Sequence, residues 1–357
     1  MAAVTGPQRA SIVGTGLIGA SIGLGLRAMG WHVTGLDADP DTQEQALARG
    51  AIDAVGIDPE ATITFVALPV RAVADAVRDA LAATSGVVTD VGSVKASIVS
   101  AIEDPRFVGG HPMAGSEQLG VAGATADLFE GAVWVLTPVA GTSSEAFTTV
   151  DAVVRTLGAE VVALAPERHD ALVAVVSHVP HLTAAALMGI ADERAEEHAA
   201  LRRLAAGGFR DMTRIASGTA AIWPDICGEN RDAIVEVIDR LTEELTRLRG
   251  IVAEGRRDDL IATLERAQVA RRNLPGRAVR PELLTEVRVP VPDRGGVIAE
   301  VSTLAAELGV NIADVEVAHS SEGDRGVLIL VIDRTGVDAF RDGLVTRGYR
   351  PTFTNLA

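Results

Sequence analysis

The sequence predicts an α/β fold in three successive parts, and three observations carry that expectation. Over residues 1–165, short β-rich runs alternate with stretches of helical period. Strand-like runs then disappear, and residues 166–280 read as helices alone. From 285 to 357 the order becomes strand, helix, strand, strand, helix, strand, a ferredoxin-like βαββαβ succession. A chain of 357 residues is long enough for two or three cores, so the three patterns are read as three domains.

In the first part "ASIVG", "HVTGLD", "TITFVAL", "GVVTDVG", "RFVGG" and "AVWVLTP" read as strands, several of them apolar throughout, as a sheet covered on both faces requires. The spacers "GASIGLGLRAMG", "PDTQEQALARG" and "RAVADAVRDALAAT" are long enough to cross over between parallel strands. This is a doubly wound, Rossmann-type pattern. Its first turn, "VGTGLIG", sets Gly14, Gly16 and Gly19 between a strand and a helix that Leu17 and Ile18 open. Gly14 permits the tight turn, Gly16 lets a pyrophosphate approach the backbone, and Gly19 allows close helix packing. Asp37 ends the second strand, 18 residues beyond Gly19, where a carboxylate accepts hydrogen bonds from a ribose diol and repels a 2′-phosphate. Asp39 competes for that role. No arginine directly follows Asp37, so NAD is the expected cofactor. Leu68 and Pro69 close the next strand at the carboxyl edge of the sheet, where such folds bind ligands.

The second part opens with an apolar stretch. Residues 171–191, "ALVAVVSHVPHLTAAALMGIA", contain no Asp, Glu, Lys or Arg and imitate a membrane span. His178, Pro180 and His181 at its centre suit a helix buried between protein surfaces better than one in lipid, so no membrane is expected. Ile234, Ile238, Leu241, Leu245, Leu248 and Val252 then recur every three or four residues along one narrow seam, which fits either a bundle or a homodimer. Glu236 with Arg240, and Glu243 with Arg247, are spaced to pair on the exposed side. The basic stretch 271–282, broken by Pro275, Gly276 and Pro281, is read as a linker. In the third part Val297, Ile298, Val301, Leu304, Ala305 and Leu308 form the expected buried stripe of the first helix.

The formal net charge of −16 and the lack of a basic patch argue against a nucleic acid partner. The single cysteine, Cys227, allows neither an internal disulfide nor a multi-cysteine zinc site and fits a reducing, cytoplasmic setting. "MAAVTGPQRASIVG" lacks the charged and apolar regions of a signal or transit peptide. No metal is expected, because His178 and His181, three residues apart, do not by themselves make a site.

Two residues draw attention as chemistry. Ser93, in "TDVGSVK", and His111, in "GGHPMAGSE", follow successive strands, so a hydroxyl and a base would project into one crevice over the nicotinamide. Ser93 also has the plainer reading of a helix cap.

Together "VGTGLIGASI", "ALP", "TDVGSVK", "GGHPMAGSE" and "GGFRDMTRIA" resemble the prephenate and arogenate dehydrogenases of tyrosine biosynthesis, and the tail resembles an ACT regulatory domain. The resemblance implies oxidation of the ring C4 alcohol of prephenate, hydride passing to NAD and the ring carboxylate leaving as carbon dioxide. His111 is then the base, and Ser93 hydrogen-bonds either the same hydroxyl or the imidazole. A dianionic substrate needs a cation. Arg210 and Arg214 are four apart, on one side of a helix, and Arg214 matches the carboxylate-gripping position, with Asp211 or Arg210 in support. Arg210 is equally explained as a solvated surface residue. The resemblance adds His181 and Glu117 near the substrate, with Asp170 orienting His178 or His181. His178 is equally explained as a core histidine with its hydrogen bond met.

In the tail, "PDRGG" and "GVNIADV" match the ACT effector loop and strand start at Asp293, Gly296, Asn311 and Ile312, with tyrosine as the implied effector. The expected activity is an NAD-dependent prephenate dehydrogenase, dimeric through its helical domain. An arogenate dehydrogenase is the nearest alternative, and a non-catalytic sensor of NAD and an amino acid is another. A β-hydroxyacid dehydrogenase would ordinarily place a lysine base on the helical domain, and residues 166–280 contain none.

Overall fold

The computed structural model describes residues 8–115, 118, 120–197, 204–273, 284–292, 294–319 and 325–355, and its largest element is an eight-stranded sheet. In chain order this sheet is built from β1 (Arg9–Val13), α1 (Leu17–Ala28), β2 (His32–Leu36), α2 (Pro40–Ala48), β3 (Ala54–Val55), β4 (Ile63–Val66), α3 (Val70–Ala83), β5 (Val87–Asp90), α4 (Ala96–Ser100), β6 (Phe107–Pro112), β7 (Val133–Thr137), α5 (Ser144–Thr156) and β8 (Glu160–Ala163). The strand order is β3-β2-β1-β4-β5-β6-β7-β8. It reverses between β1 and β4, which opens a crevice at the strands' carboxyl ends.

All six expected strands are present. β4 and β5 are buried along their whole length, Thr64, Thr89 and Asp90 included, as strands in a sheet covered on both faces must be. β3 and β8 escape the sequence reading because they are short or only partly covered edge strands. One strand departs from the parallel run of its neighbours. β7 runs antiparallel to β6, and among the described residues between them the one helical element is a short 3₁₀ turn at Val121–Gly123, too short to be a crossover helix. On α3, Val70, Val73, Val77, Ala80 and Leu81 fall on one face and are buried, each larger side chain contributing about 1.5–3 kcal/mol.

Beyond the sheet come α6 (Pro166–Val173), a π turn (Ala174–His178), α7 (Val179–Glu197), α8 (Gly207–Thr213), 3₁₀ turns at Arg214–Ser217 and Ala220–Ile222, α9 (Trp223–Glu229), α10 (Arg231–Ala253) and α11 (Arg257–Arg272). Two compact units cut across this helical stretch. One reaches to Glu193 and resumes over Thr213–Gly250; the other holds Arg194–Met212 and the chain from Ile251 onward. In the first unit Ile234 packs with Ala174 and Val179, but further along the seam Leu245 is 55% and Val252, in the second unit, 64% exposed. The expected Glu236–Arg240 pair is present at 3.8 Å, and Arg247 reaches Glu244 at 2.8 Å. Pro166–Glu193, which contains an 18-residue window of mean hydropathy 1.6, is long and apolar enough to cross a membrane by length and composition. His169, Asp170 and His178 within it are nevertheless buried and hydrogen-bonded inside the protein.

The second unit contains β9 (Leu284–Pro292), α12 (Val297–Glu307), β10 (Ile312–His319), β11 (Arg325–Asp333), α13 (Val337–Thr346) and β12 (Thr352–Asn355). Its antiparallel sheet has the order β10-β11-β9-β12, the ferredoxin-like arrangement. Val287, Val289 and Val291 alternate on β9 toward a core completed by Val301, Leu304, Phe340 and Leu344. The expected stripe of α12 is narrower than its sequence suggests, since Ile298 and Leu308 lie at its margins and are exposed.

Candidate active site

The glycine turn is shaped for a dinucleotide. Gly14 has φ +90°, and a side chain there would strike the Ala67 carbonyl and Leu68. Gly19 packs against the Gly14 carbonyl, while nothing lies within 4 Å of the position a Gly16 side chain would take. That open space stands over the N-terminus of α1, where Leu17 and Ile18 supply the first helical amides. Asp37 accepts from Thr15 N at 2.6 Å and Thr15 Oγ1 at 3.2 Å, which fixes its carboxylate beside the turn. The competing Asp39 caps α2 instead, accepting from Asp41 N and from the Thr42 hydroxyl, which holds its carboxyl below the usual range. Pro69 is the N-cap of α3. This cradle fits the pyrophosphate and ribose of NAD.

His111 is the penultimate residue of β6, and the two glycines before it have a packing reason. A side chain on Gly110 would meet the Asp90 carbonyl and the Thr89 hydroxyl, and one on Gly109 would meet Thr137 and Val99. Beneath them lies Lys95, the only lysine in the sequence. Lys95 and Asp90 are both 0% exposed and form an ion pair. Lys95 Nζ also donates to the Gly110 carbonyl at 2.8 Å, and Asp90 Oδ1 accepts from Gly110 N at 3.1 Å. The peptide preceding His111 is thus held from both sides. Burial pushes the Lys95 ammonium below its ordinary pKa, with Asp90 opposing that shift.

The His111 ring has a partner the sequence reading missed. Its Nδ1 lies 2.8 Å from Nε2 of His169, which is 1% exposed, and His169 Nδ1 lies 2.7 Å from Asp170 Oδ1. The Asp170 carboxylate also accepts the backbone N–H groups of Lys95 and Ala96, both at 2.8 Å. Burial, followed by the influence of His169, Lys95 and His178, pushes the His111 pKa well below the ordinary histidine value.

Several expectations change here. Ser93 lies in the bend before α4, whose first residue is Ala96, so it is no cap, and His111 Nδ1 faces His169, which leaves Ser93 the expected role toward the substrate hydroxyl. Asp170 orients neither His178 nor His181 with its carboxylate, which faces His169. Its backbone carbonyl instead accepts from Asn230 Nδ2 at 2.9 Å, and the same amide faces His178 Nδ1 at 3.1 Å. His178 is therefore a core histidine with its bond met, 1% exposed and lowered by burial to about 4. His181 stacks flat on Trp223, with ring centroids 3.7 Å apart.

Arg210 and Arg214 do not share a helix. α8 ends at Thr213, Arg214 begins a 3₁₀ turn, and the two arginines fall in different compact units. Arg210 Nε donates to the Ala205 carbonyl at 3.1 Å. The turn that Arg214 opens leads to Gly218, which packs against the His181 ring. Glu117 lies outside the described residues. Among the described residues no group of three or more His, Cys, Asp or Glu is placed to hold a metal ion.

In the second unit a cavity of about 530 Å³ is lined by Val291, Arg294, Gly296, Ile298, Val317 and Leu328, among others. Of the expected effector residues, Gly296 lines it. Asn311 and Ile312 do not, Ile312 being packed, partly buried, against the hydrophobic core, and Asp293 lies outside the described residues.

Comparison with known proteins gives a consistent result. The family model described as "Prephenate dehydrogenase, nucleotide-binding domain" matches residues 22–163, and "Prephenate dehydrogenase, dimerization domain" matches 165–266. The prephenate dehydrogenase of Bacillus subtilis (strain 168) is 33% identical over 336 residues, which cover 89% of this chain and 90% of the relative. The crystal structure of Aquifex aeolicus prephenate dehydrogenase in complex with hydroxyphenyl propionate and NAD+ is 30% identical, with a TM-score of 0.71 over 76% of this chain and all of that one (100%). Synechocystis arogenate dehydrogenase is 29% identical, with a TM-score of 0.65 over 74% of this chain and 99% of that one.

Proposed function

The chain belongs to the prephenate dehydrogenase family, and from that premise we propose a mechanism in which His111 is the base. The protein is an NAD-dependent oxidoreductase that converts prephenate to 4-hydroxyphenylpyruvate and carbon dioxide. The observation that carries the mechanism is the placement of His111 at the carboxyl end of β6, with its Nδ1 engaged by His169 and the backbone of the preceding Gly110 held by Lys95 and Asp90.

NAD, held along Gly14–Gly19 with its ribose on Asp37, supplies the acceptor for the hydrogen that leaves the substrate ring carbon with its electron pair. His111 takes the hydroxyl proton from the same carbon, which becomes a carbonyl. The bond to the ring carboxylate then breaks, its electron pair aromatises the ring, and carbon dioxide departs. The phenolate oxygen takes back the proton from His111, leaving the imidazole neutral for the next cycle. Arg214 grips a substrate carboxylate with its planar fork, and His181, held flat on Trp223, borders the same turn. Ser93 completes the proposed substrate surroundings.

Rates of NADH formation with prephenate and with arogenate test the substrate. A higher kcat/KM for prephenate is expected, and the reverse order would overturn the assignment.

The exposed apolar residues Ile238 and Leu245 support a homodimer, in keeping with the family's dimerization domain. The single cysteine supports a cytoplasmic setting. The βαββαβ tail is proposed to act as an ACT-type module for tyrosine. The cavity at the start of α12 offers apolar walls for a ring, and Arg294, paired with Glu300 at 2.7 Å, is among its lining residues. Tyrosine is expected to lower turnover of the full chain, and a chain ending before residue 285 should lose that response.

A further inference from the structure

The proton positions along His111, His169 and Asp170 follow from the Asp170 end. Both oxygens of Asp170 accept backbone N–H groups, from Lys95 and from Ala96, so the group is a carboxylate with only acceptors to offer. His169 Nδ1, 2.7 Å from Oδ1, must then be the donor, and its Nε2 is left with a bare lone pair. That lone pair faces His111 Nδ1 at 2.8 Å, so His111 Nδ1 carries a hydrogen. The remaining nitrogen, His111 Nε2, is the one with a free lone pair.

We propose that His169, backed by Asp170, is a positioning residue that holds His111 in the Nδ1–H tautomer and so makes Nε2 the atom that receives the substrate's hydroxyl proton. A histidine without such a partner divides between two tautomers, only one of which presents a base in this direction. The arrangement also acts after proton transfer. The imidazolium keeps an acceptor for its Nδ1–H, and the Asp170 charge stabilises it through the intervening ring. The other charged and titratable groups around the pair are Lys95 and Asp90, which offset one another, and His178, whose Nδ1 faces Asn230. Nothing in this chain of bonds is near in sequence to His111, since His169 is 58 residues away. The inference rests on the reading of His111 as the base but is tested independently of turnover.

The test is long-range ¹H–¹⁵N correlation on the uniformly ¹⁵N-labelled full chain at pH 8, with the His111 signals identified by their loss in His111→Gln. The expected result is a protonated Nδ1 and an unprotonated Nε2 on His111, and the opposite tautomer in the wild type would overturn the proposal. In His169→Phe, which retains volume but removes the acceptor, the His111 signals should move toward the Nε2–H form. The kcat should fall by about 10²–10⁴-fold while the KM for NAD holds. His169→Gln, whose amide oxygen can face the same hydrogen, should regain part of the loss. An unchanged tautomer in folded His169→Phe would also overturn the proposal, and if that variant does not fold, the wild-type spectrum alone decides. His111→Asn turnover tests the base assignment itself, so either reading can fail without the other.

Discussion

The two sides of the proposed active site are built from opposite materials. Around His111 every named polar group is buried and partnered: Lys95 with Asp90, Gly110 with both, His169 with Asp170, Asn230 with His178. Around Arg214 the chain runs through short 3₁₀ turns, and the arginine is exposed on one of them. The difference teaches a division of labour. The group that moves a proton needs a fixed direction and a fixed tautomer, which only a buried network supplies. A group that captures a dianion from water needs its charge accessible, and burial would cost it desolvation energy. Substitutions on the two sides should therefore fail in different ways.

The largest effect is expected at His111. His111→Asn keeps the size and polarity of the side chain but removes the base, and kcat should fall by about 10²–10⁴-fold. NAD affinity, read by quenching of protein fluorescence, should hold because the glycine turn is untouched. A full kcat in this variant would move the base elsewhere.

Next in size is Lys95. Lys95→Met leaves the Asp90 carboxylate buried without its cation and should cost about 3–5 kcal/mol of stability, seen as a lower denaturation midpoint in urea. Lys95→Met with Asp90→Asn should recover part of that loss, because the second change removes the uncompensated charge. If the single variant is as stable as wild type, the clamp beneath Gly110 is not a structural element.

The contrast between the two sides also explains what was legible in the sequence. The glycine turn could be read because its function lies within six consecutive residues, Gly14 to Gly19, whose backbone demands are local. His111 stood out for the same reason, set directly after two glycines. Its partner did not, because the two residues meet only through tertiary folding, 58 positions apart. Asp170 was noticed and assigned to the wrong histidines, since sequence spacing says nothing about which side of α6 faces α4. Ser93 was also read as a helix cap, yet the helix begins at Ala96, one residue after Lys95, whose side chain turns inward to Asp90. Arg210 and Arg214 were placed on one face by a periodicity that assumes a continuous helix, and the α8 boundary at Thr213 breaks it. The antiparallel β7 was illegible because strand direction depends on the connection's path and not on the strand's composition.

On the exposed side, Arg214→Ala should act mainly on binding. Loss of one charge-assisted contact of about 1.5–3 kcal/mol corresponds to a rise in the prephenate KM of roughly 10–100-fold, with little change in kcat. Steady-state kinetics separate the two constants. A fall in kcat at constant KM would mean that Arg214 acts on the transition state and that the division between the sides is not real.

The smallest effect concerns acid, and it belongs to the buried side alone. His178 is neutral in the folded chain, with its pKa lowered from 6.5 to about 4 by burial, and His111 is lowered in the same direction. The unfolded chain binds these protons at the ordinary histidine pKa, so between pH 6.5 and about 4 it holds more protons than the folded one. Protonation therefore favours unfolding. The stabilisation is complete above pH 6.5 and is lost progressively as the pH falls through that window, by about 1–2 kcal/mol for His178 between pH 7 and pH 5. Urea midpoints measured at the two pH values should drop less in His178→Gln than in wild type, whereas Arg214→Ala should leave the drop unchanged. An equal drop in all three proteins would mean that the buried histidines are not what acid attacks, and the electrostatic contrast between the two sides would then have to rest on Lys95 and Asp90 alone.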